Sequence, residues 1–358
     1  MTETLINLYD LSDAELSALM AELNQPAFRA RQIAEWLYKH KVTTFEAMTN
    51  LPKALREKLA ARARIGGFEQ VAEQHSTESA TTKRLYRLPD GQLIESVLME
   101  YEDGRRTACI STQAGCAMGC VFCATGQMGF ARHLSAGEIV EQALHFARLL
   151  EQEGDRLSNV VLMGMGEPLH NYEQTLRAIR RLNDPNGLNI GQRHITLSTV
   201  GLVPEIKRFA DEGLQVGLAI SLHAATDAER SALLPINRRY PIREVLEAAR
   251  YYVEKTGRRV TFEWALIRGE NDTPEQAERL GALLRGLLCH VNLIPLNPTG
   301  GYGGAPSDPA RVDAFRAVLA RYGVSSTVRV RRGIDIQAGC GQLKTEVLRR
   351  ERTRRAVS

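Results

Sequence analysis

From about residue 105 onward, short apolar runs alternate with longer amphipathic stretches, and that alternation restricts the chain to few folds. The runs fall at 107–111, 159–163, 194–198, 216–221, 260–266, 291–294 and 326–330. Helical periodicity lies between most of them, at 135–150, 172–182, 242–255, 274–287 and 309–322. Strand–helix alternation of this kind argues for a parallel sheet with helical crossovers. The repeat count suits an α/β fold, an incomplete TIM-like (β/α)6 barrel. In such barrels function gathers at the C-terminal ends of the strands. No run approaches the roughly 20 apolar residues of a membrane helix, so no membrane partner is expected.

The sequence before this core reads differently. Residues 1–64 form a small helical module. Ser12-Asp-Ala-Glu15 is a capping-box pattern ahead of Leu16, Leu19, Met20 and Leu23. Pro26 opens a second helix with Phe28, Ile33, Trp36 and Leu37 on one face, and a third runs near 52–63 with Leu55 and Leu59 inward. Residues 65–104 carry a hairpin signal, two strand-like runs at 84–88 and 92–98 around Pro89-Asp90-Gly91. The barrel is expected over 105–345 and a basic tail over 346–358.

Six cysteines in 358 residues are too sparse for a disulfide scaffold. Three of them form the densest chemical signal, Cys116-Ala-Met-Gly-Cys120-Val-Phe-Cys123. Thiolates at this spacing can bind three irons of a [4Fe-4S] cluster and leave the fourth iron open. Electron-transfer clusters are closed by four thiolates, so an open iron points to catalysis. S-adenosylmethionine, whose amino and carboxylate groups can chelate that iron, is the obvious reactant, and radical chemistry then belongs to the cofactor. The competing reading is structural zinc, which wants four ligands in close pairs. Its fourth ligand would have to be His133 or Cys109, at awkward spacing. Clustered thiols and an N-terminus without a basic and apolar export pattern make a reducing cytoplasm the expected location.

A net charge of +4 is by itself weak support for a nucleic-acid partner. Its distribution says more. Arg329, Arg331 and Arg332, then Arg349, Arg350, Arg352, Arg354 and Arg355, concentrate positive charge near the C-terminus. A solvated surface with a frayed tail is the plainer account of the same residues.

Polar or glycine-rich residues follow five of the expected strands: the cysteine motif, Gly164-Met-Gly166-Glu167-Pro168, Ser198-Thr-Val-Gly201, Ser221-Leu222-His223 and Pro295-Leu-Asn297-Pro298. With Phe28-Arg-Ala-Arg-Gln-Ile33, Glu95-Ser-Val97, Cys109, Leu234-Pro-Ile-Asn237 and Ala338-Gly-Cys340-Gly-Gln-Leu343, they resemble the RlmN/Cfr family of RNA adenine methyltransferases in the radical S-adenosylmethionine superfamily. The resemblance covers nearly the whole chain.

That resemblance implies a radical SAM barrel with a [4Fe-4S] cluster and S-adenosylmethionine. Cys116, Cys120 and Cys123 match the cluster ligands. Gly166 and Glu167 match the segment that binds the amino end of S-adenosylmethionine, and Ser198, Ser221, Leu222, His223 and Asn297 its other contacts. Cys340 matches the methyl-carrying cysteine, Cys109 its resolving partner, and Glu95 the base. The implied substrate is an adenine C2 in 23S rRNA, with an adenine in tRNA as a second target. Adenine C2 is a poor nucleophile, so a radical route through a methylated Cys340 replaces direct attack on the sulfonium. Two S-adenosylmethionine molecules are consumed, and a low-potential electron donor and a thiol reductant are needed. Arg29, Arg31, Lys39 and Lys41 make the helical module a candidate grip on folded RNA. A monomer is expected.

Several readings compete with this one. Methylation at C8 of the same adenine is the nearest enzyme alternative. A metal-stabilised RNA-binding module leaves Cys109 and Cys340 unexplained, and a glycyl-radical activase leaves Cys340 unmethylated. Taken singly, Cys109 and Cys340 would read as small buried hydrophobes, as Cys289 does here. Glu95 also reads as the polar face of a hairpin, and His223 as a satisfied core histidine.

Overall fold

A computed structural model describes residues 5–343. The basic tail expected at 346–358 lies outside them. The helical module comes first. Ser12 caps the helix Asp13–Glu22 (α1) with the full capping box. A second helix, Phe28–Ala34 (α2), runs on into a wider turn at Glu35–Lys39, and Lys53–Arg62 (α3) completes the module. The module is fastened to the barrel by Asp10, whose Oδ1 accepts from Gly137 N at 2.9 Å, and by Glu15, paired with Arg177 at 3.0 Å.

One ten-stranded sheet dominates the rest. Its first three strands are Glu69–His75 (β1), Thr81–Arg87 (β2) and Leu93–Glu100 (β3), which run antiparallel to one another. The expected hairpin is β2–β3; β1 adds a third strand at the sheet's edge. Its sequence, Glu-Gln-Val-Ala-Glu-Gln-His, is largely polar, a composition that keeps a sheet edge from pairing with other chains.

Strand Arg106–Cys109 (β4) pairs antiparallel with β3 and parallel with Asn159–Leu162 (β5). From there every pairing is parallel: Ile195–Thr199 (β6), Gly217–Ser221 (β7), Val260–Leu266 (β8), Cys289–Pro295 (β9) and Ser326–Val328 (β10). Strand order across the sheet follows chain order throughout. The crossovers are Ala136–Gln152 (α4), Tyr172–Asn183 (α5), Val203–Asp211 (α6), Asp227–Leu233 (α7) with Ile242–Thr256 (α8), Pro274–Leu284 (α9) and Pro309–Arg321 (α10). The architecture is therefore six strand–helix units followed by a short seventh parallel strand. Apolar strand residues such as Val160, Leu197, Leu218, Phe262 and Leu293 form the core, together with the inner faces of the helices. Cys289 is buried in it, as its apolar neighbours suggest. Among the described residues no helix is long and apolar enough to cross a membrane.

β10 and β1 are the two edges of the sheet. The segment after β10 reaches across to the β1–β3 side. Arg332 Nη1 donates to Glu100 O at 3.3 Å, Gly333 N to Ser79 Oγ at 3.0 Å, and Asp335 accepts from Ser76 Oγ at 2.7 Å and Thr77 N at 2.8 Å. This strap carries Cys340 to the barrel mouth.

Candidate active site at the barrel mouth

The loop after β5 shows why its glycines stand where they do. A Cβ on Gly164 would lie 2.7 Å from the Ile110 carbonyl, and one on Gly166 (φ +106°) 2.6 Å from Gln113 Cβ. The loop therefore lies directly on the exit of β4, which only glycine permits at such distances. Gln113 anchors the end of this loop: its Oε1 accepts from Glu167 N at 2.8 Å. The Glu167 carboxylate is buried and accepts from Leu169 N at 3.1 Å and Val200 N at 2.9 Å. Burial pushes its carboxyl up to about 7, against these N–H donors, which pull it down.

A short ribbon, Gln113–Gly115 paired with Phe130–His133, brackets the cysteine motif. Cys116 N donates to Gly129 O at 2.8 Å and Cys123 N to Cys120 O at 3.2 Å, which folds the loop back on itself. All three cysteines line one cavity, shared with Glu167, Ser198, Ser221, His223, Asn297 and Cys340. Burial pushes the Cys116 thiol up to about 12 and the Cys120 thiol well above its ordinary value, and neighbouring thiols add to both shifts. Among the described residues no three Cys, His, Asp or Glu side chains are grouped so as to hold one metal ion. Three thiolates that each take a different iron need no such convergence.

Two further side chains fit a polar ligand. His223 has a left-handed backbone (φ +60°), and its Nδ1 accepts from Ala265 N at 2.8 Å. Burial, with Arg230 nearby, lowers its pKa to about 3. The ring is therefore neutral, and Nε2 carries its proton. Asn297 donates from Nδ2 to Cys340 O at 3.1 Å, while its Oδ1 is buried without a partner. A buried orphan acceptor is costly unless a ligand donor satisfies it. Together with three thiols and a buried carboxylate, these groups fit a [4Fe-4S] cluster and a sulfonium amino acid.

Cys340 is enclosed by the barrel mouth yet accessible from the cavity. Burial pushes its thiol up, the Arg329 guanidinium draws it back, and Glu263 opposes Arg329. Of the three arginines at 329–332, only Arg329 lines the cavity; Arg332 lies over the Tyr101 ring. Cys109 sits at the end of β4, close enough to Cys340 for its thiol to be raised by it, although burial is the larger cause. Glu95 is on the neighbouring β3. Val97 pairs with Cys109, so Glu95 shares the Cys109 face of the sheet, one pleat nearer the mouth. It is buried and paired with Lys83 at 3.1 Å.

The structure thus brings twelve of the thirteen residues picked from sequence to one end of the barrel, nine lining the cavity with Gly166 in its wall and Cys109 and Glu95 behind it. Leu222 departs from expectation. Its side chain is fully buried in the core, its N donates to Glu263 O, and its carbonyl accepts from Arg230 Nε. Its backbone supports its neighbours, and its side chain does not line the cavity. Lys83, Gln113, Glu263 and Arg230 belong to the site and were not singled out from sequence. A lone carboxylate within the apolar run Val-Thr-Phe-Glu263-Trp-Ala-Leu was the one available signal. In the helical module, Lys39 pairs with Glu35 and Lys41 with Glu151, so part of its positive charge is spent within the protein.

Comparison with known proteins agrees with this geometry. Residues 110–280 match the radical SAM superfamily, and residues 6–65 match the ribosomal RNA large subunit methyltransferase N-terminal domain. The chain is 56% identical to dual-specificity RNA methyltransferase RlmN 1 of Myxococcus xanthus, over 98% of both chains. It is 50% identical to a probable dual-specificity RNA methyltransferase RlmN of Symbiobacterium thermophilum, covering 95% of this chain and 91% of that one. The crystal structure of a radical SAM methyltransferase from Sphaerobacter thermophilus superposes with a TM-score of 0.92 at 52% identity, covering 95% of this chain and 99% of that one.

Proposed function

We propose, on the premise that the chain belongs to the RlmN family of dual-specificity RNA methyltransferases in the radical SAM superfamily, that it methylates C2 of an adenine in 23S rRNA and of an adenine in tRNA. The observation that carries this reading is the meeting of Cys340 with the three-cysteine loop in one cavity, with Cys109 beside it. Cys116, Cys120 and Cys123 would hold three irons of a [4Fe-4S] cluster. When bound, the cluster and S-adenosylmethionine supply the methyl group and the one-electron chemistry that activates it.

The chain's own residues do the rest. The Glu167 carboxylate receives the ammonium of S-adenosylmethionine, and His223 Nε2–H and Asn297 Oδ1 offer a donor and an acceptor to its polar groups. Ser198 and Ser221 complete that wall. Cys340 Sγ takes the methyl group as a thiolate, the nucleophilic form, with Arg329 as the nearby positive charge. The methyl carbon is joined to C2 while still on Cys340, after the one-electron chemistry has removed one of its hydrogen atoms; the odd electron of the adduct returns to that chemistry. Glu95 accepts the C2 proton, the work of a general base, and Lys83 holds its carboxylate in place. Cys109 Sγ, as a thiolate, then attacks Cys340 Sγ, so that a sulfur–sulfur bond forms as the sulfur–carbon bond breaks, and the released carbon takes up a proton to become the product's methyl group. A cellular thiol reduces the resulting disulfide. The adenine leaves its stack to reach this depth.

Peptide mass spectrometry on anaerobically prepared, cluster-loaded protein tests the reading. One methyl group on the Cys340 peptide, absent in Cys116→Ser, is expected. An unmethylated Cys340 in loaded protein given S-adenosylmethionine sinks it. Nucleoside analysis of treated 23S rRNA and tRNA then separates the C2 product from the C8 product, and one substrate from two.

A further inference from the structure

Arg230, in α7, is completely buried. Its five N–H donors are all used. Nε donates to Leu222 O at 3.2 Å, Nη1 to Asn237 Oδ1 at 2.8 Å and Tyr240 O at 3.3 Å, and Nη2 to Val200 O at 2.7 Å and Ser221 O at 3.0 Å. Every one of those acceptors is neutral. Hydrogen bonding is complete, yet the charge has no bonded counter-ion, a costly arrangement inside a protein. The acidic side chains that act on it are Cys120 and Asp227.

The helix carrying Arg230 packs on the cysteine loop. Val121 N donates to Leu233 O at 3.1 Å, and Cys120 shares an apolar cluster with Leu233, Leu234, Ala265, Ile267 and Leu296. The guanidinium, fully buried and one helical turn before Leu233, is thus held close enough to Cys120 for the two to interact. Charge acts strongly through such a low-dielectric medium. A cluster held by thiolates becomes more negative on reduction, and net charge and solvent exposure are among the factors that set its potential.

We propose that Arg230 is the built-in counter-charge of the iron–sulfur cluster, and that it raises the cluster's reduction potential by favouring the reduced form. The proposal rests on the reading of Cys116, Cys120 and Cys123 as cluster ligands. Asp227 opposes it. That carboxylate is pinned by Ile242 N at 2.8 Å and Asn237 Nδ2 at 3.1 Å, both on Oδ1, and partly offsets the guanidinium. Arg230 also ties together the ends of β6 and β7, so its charge and its stitching must be separated by experiment.

An anaerobic redox titration of the cluster-loaded full chain, followed by electron paramagnetic resonance, does so. At the wild-type midpoint, Arg230→Met is expected to lower the reduced-to-oxidised ratio about tenfold, a shift of about 59 mV for one electron. Arg230→Lys keeps the charge and holds the ratio near wild type. Asp227→Asn keeps the acceptor and moves the ratio the opposite way. Equal shifts in Arg230→Met and Arg230→Lys, with Asp227→Asn unmoved, would reduce Arg230 to a structural stitch and overturn the proposal. Where Arg230→Met fails to load a cluster, Asp227→Asn decides alone, and an unmoved potential overturns it. Wild-type protein that binds no cluster refutes the three-cysteine reading instead.

Discussion

The loop that carries Cys116, Cys120 and Cys123 and the strap that carries Cys340 meet in one cavity but are built in opposite ways. The cluster loop is closed by a paired ribbon and by backbone hydrogen bonds at Cys116, Val121 and Cys123. The strap has no strand or helix after β10 among the described residues. It is held largely by side chains: Asp335 on Ser76 and Thr77, Ser79 on Gly333, Lys83 on Gln337 O and Asn297 on Cys340 O. The difference matches what each must do. A cofactor site needs geometry fixed by rigid elements. On the mechanism proposed above, a thiol that serves first S-adenosylmethionine, then RNA, then Cys109 needs a support that can let go, and regions of low local stability supply that.

The largest test of the fixed side concerns Glu167. Its carboxyl, raised to about 7 by burial, must be ionised to pair with the ammonium of S-adenosylmethionine. Below that pH, binding has to expel a proton, so affinity is expected to fall about tenfold per pH unit and to level off above it. His223, held neutral with a pKa of about 3, contributes nothing in this range. Calorimetry across pH 7 should show proton release on binding, and Glu167→Gln should bind weakly with a flat profile. A wild-type affinity that does not change through pH 7 breaks the assignment of Glu167 to the ammonium.

A smaller effect sharpens the other side. Asp335 is exposed and accepts three hydrogen bonds, from Ser76 Oγ, Thr77 N and Thr77 Oγ1. Asp335→Ala should speed amide exchange across 333–343 about fivefold, the effect of one modest hydrogen bond, and leave exchange in the cluster loop unchanged. Cluster absorbance should stay at the wild-type level while RNA methylation slows. Equal protection of the strap in both proteins would mean that Asp335 does not hold it.

Most of the strands were legible because a run such as Val-Thr-Phe-Glu-Trp-Ala-Leu is apolar over most of its length, and β8 begins and ends where that run does. The cysteine motif was legible from its spacing, whereas the glycines at 164 and 166 are a weak signal by themselves and took their meaning from the family resemblance. The features that stayed hidden depend on register or on burial of polar residues. β1 is too polar to read as a strand. Lys83 and Glu95 meet only because β2 and β3 pair as they do, with Lys83 opposite Val97 and Leu85 opposite Glu95. Arg230 sits in Asp-Ala-Glu-Arg-Ser-Ala-Leu, which reads as an exposed helix. Nothing local in that sequence marks Arg230 as a side chain that turns inward beside Leu233 and finds its acceptors on distant strand ends and loops. Leu222 shows the converse, since a residue within a matching motif serves the neighbouring strand rather than the cavity.

The smallest effect is expected far from both elements, at the start of α1. Ser12 Oγ accepts from Glu15 N at 3.2 Å, and Glu15 Oε2 accepts from Ser12 N at 2.7 Å. The same Glu15 oxygen takes a hydrogen bond from Arg177 Nη2 at 3.0 Å, so the cap and the docking of the module on the barrel share one carboxylate. Ser12→Ala removes the hydroxyl side of the box and should cost about 1 kcal/mol of stability. Methyl loading of Cys340 should be untouched, since this turn lines neither the cavity nor the strap. If the module grips RNA, the loss should instead appear as weaker RNA binding at an unchanged rate of Cys340 methylation. A variant that loads Cys340 poorly would show that the helical module also shapes the cavity, and the contrast between a fixed loop and a movable strap would then have to include the module that braces α4.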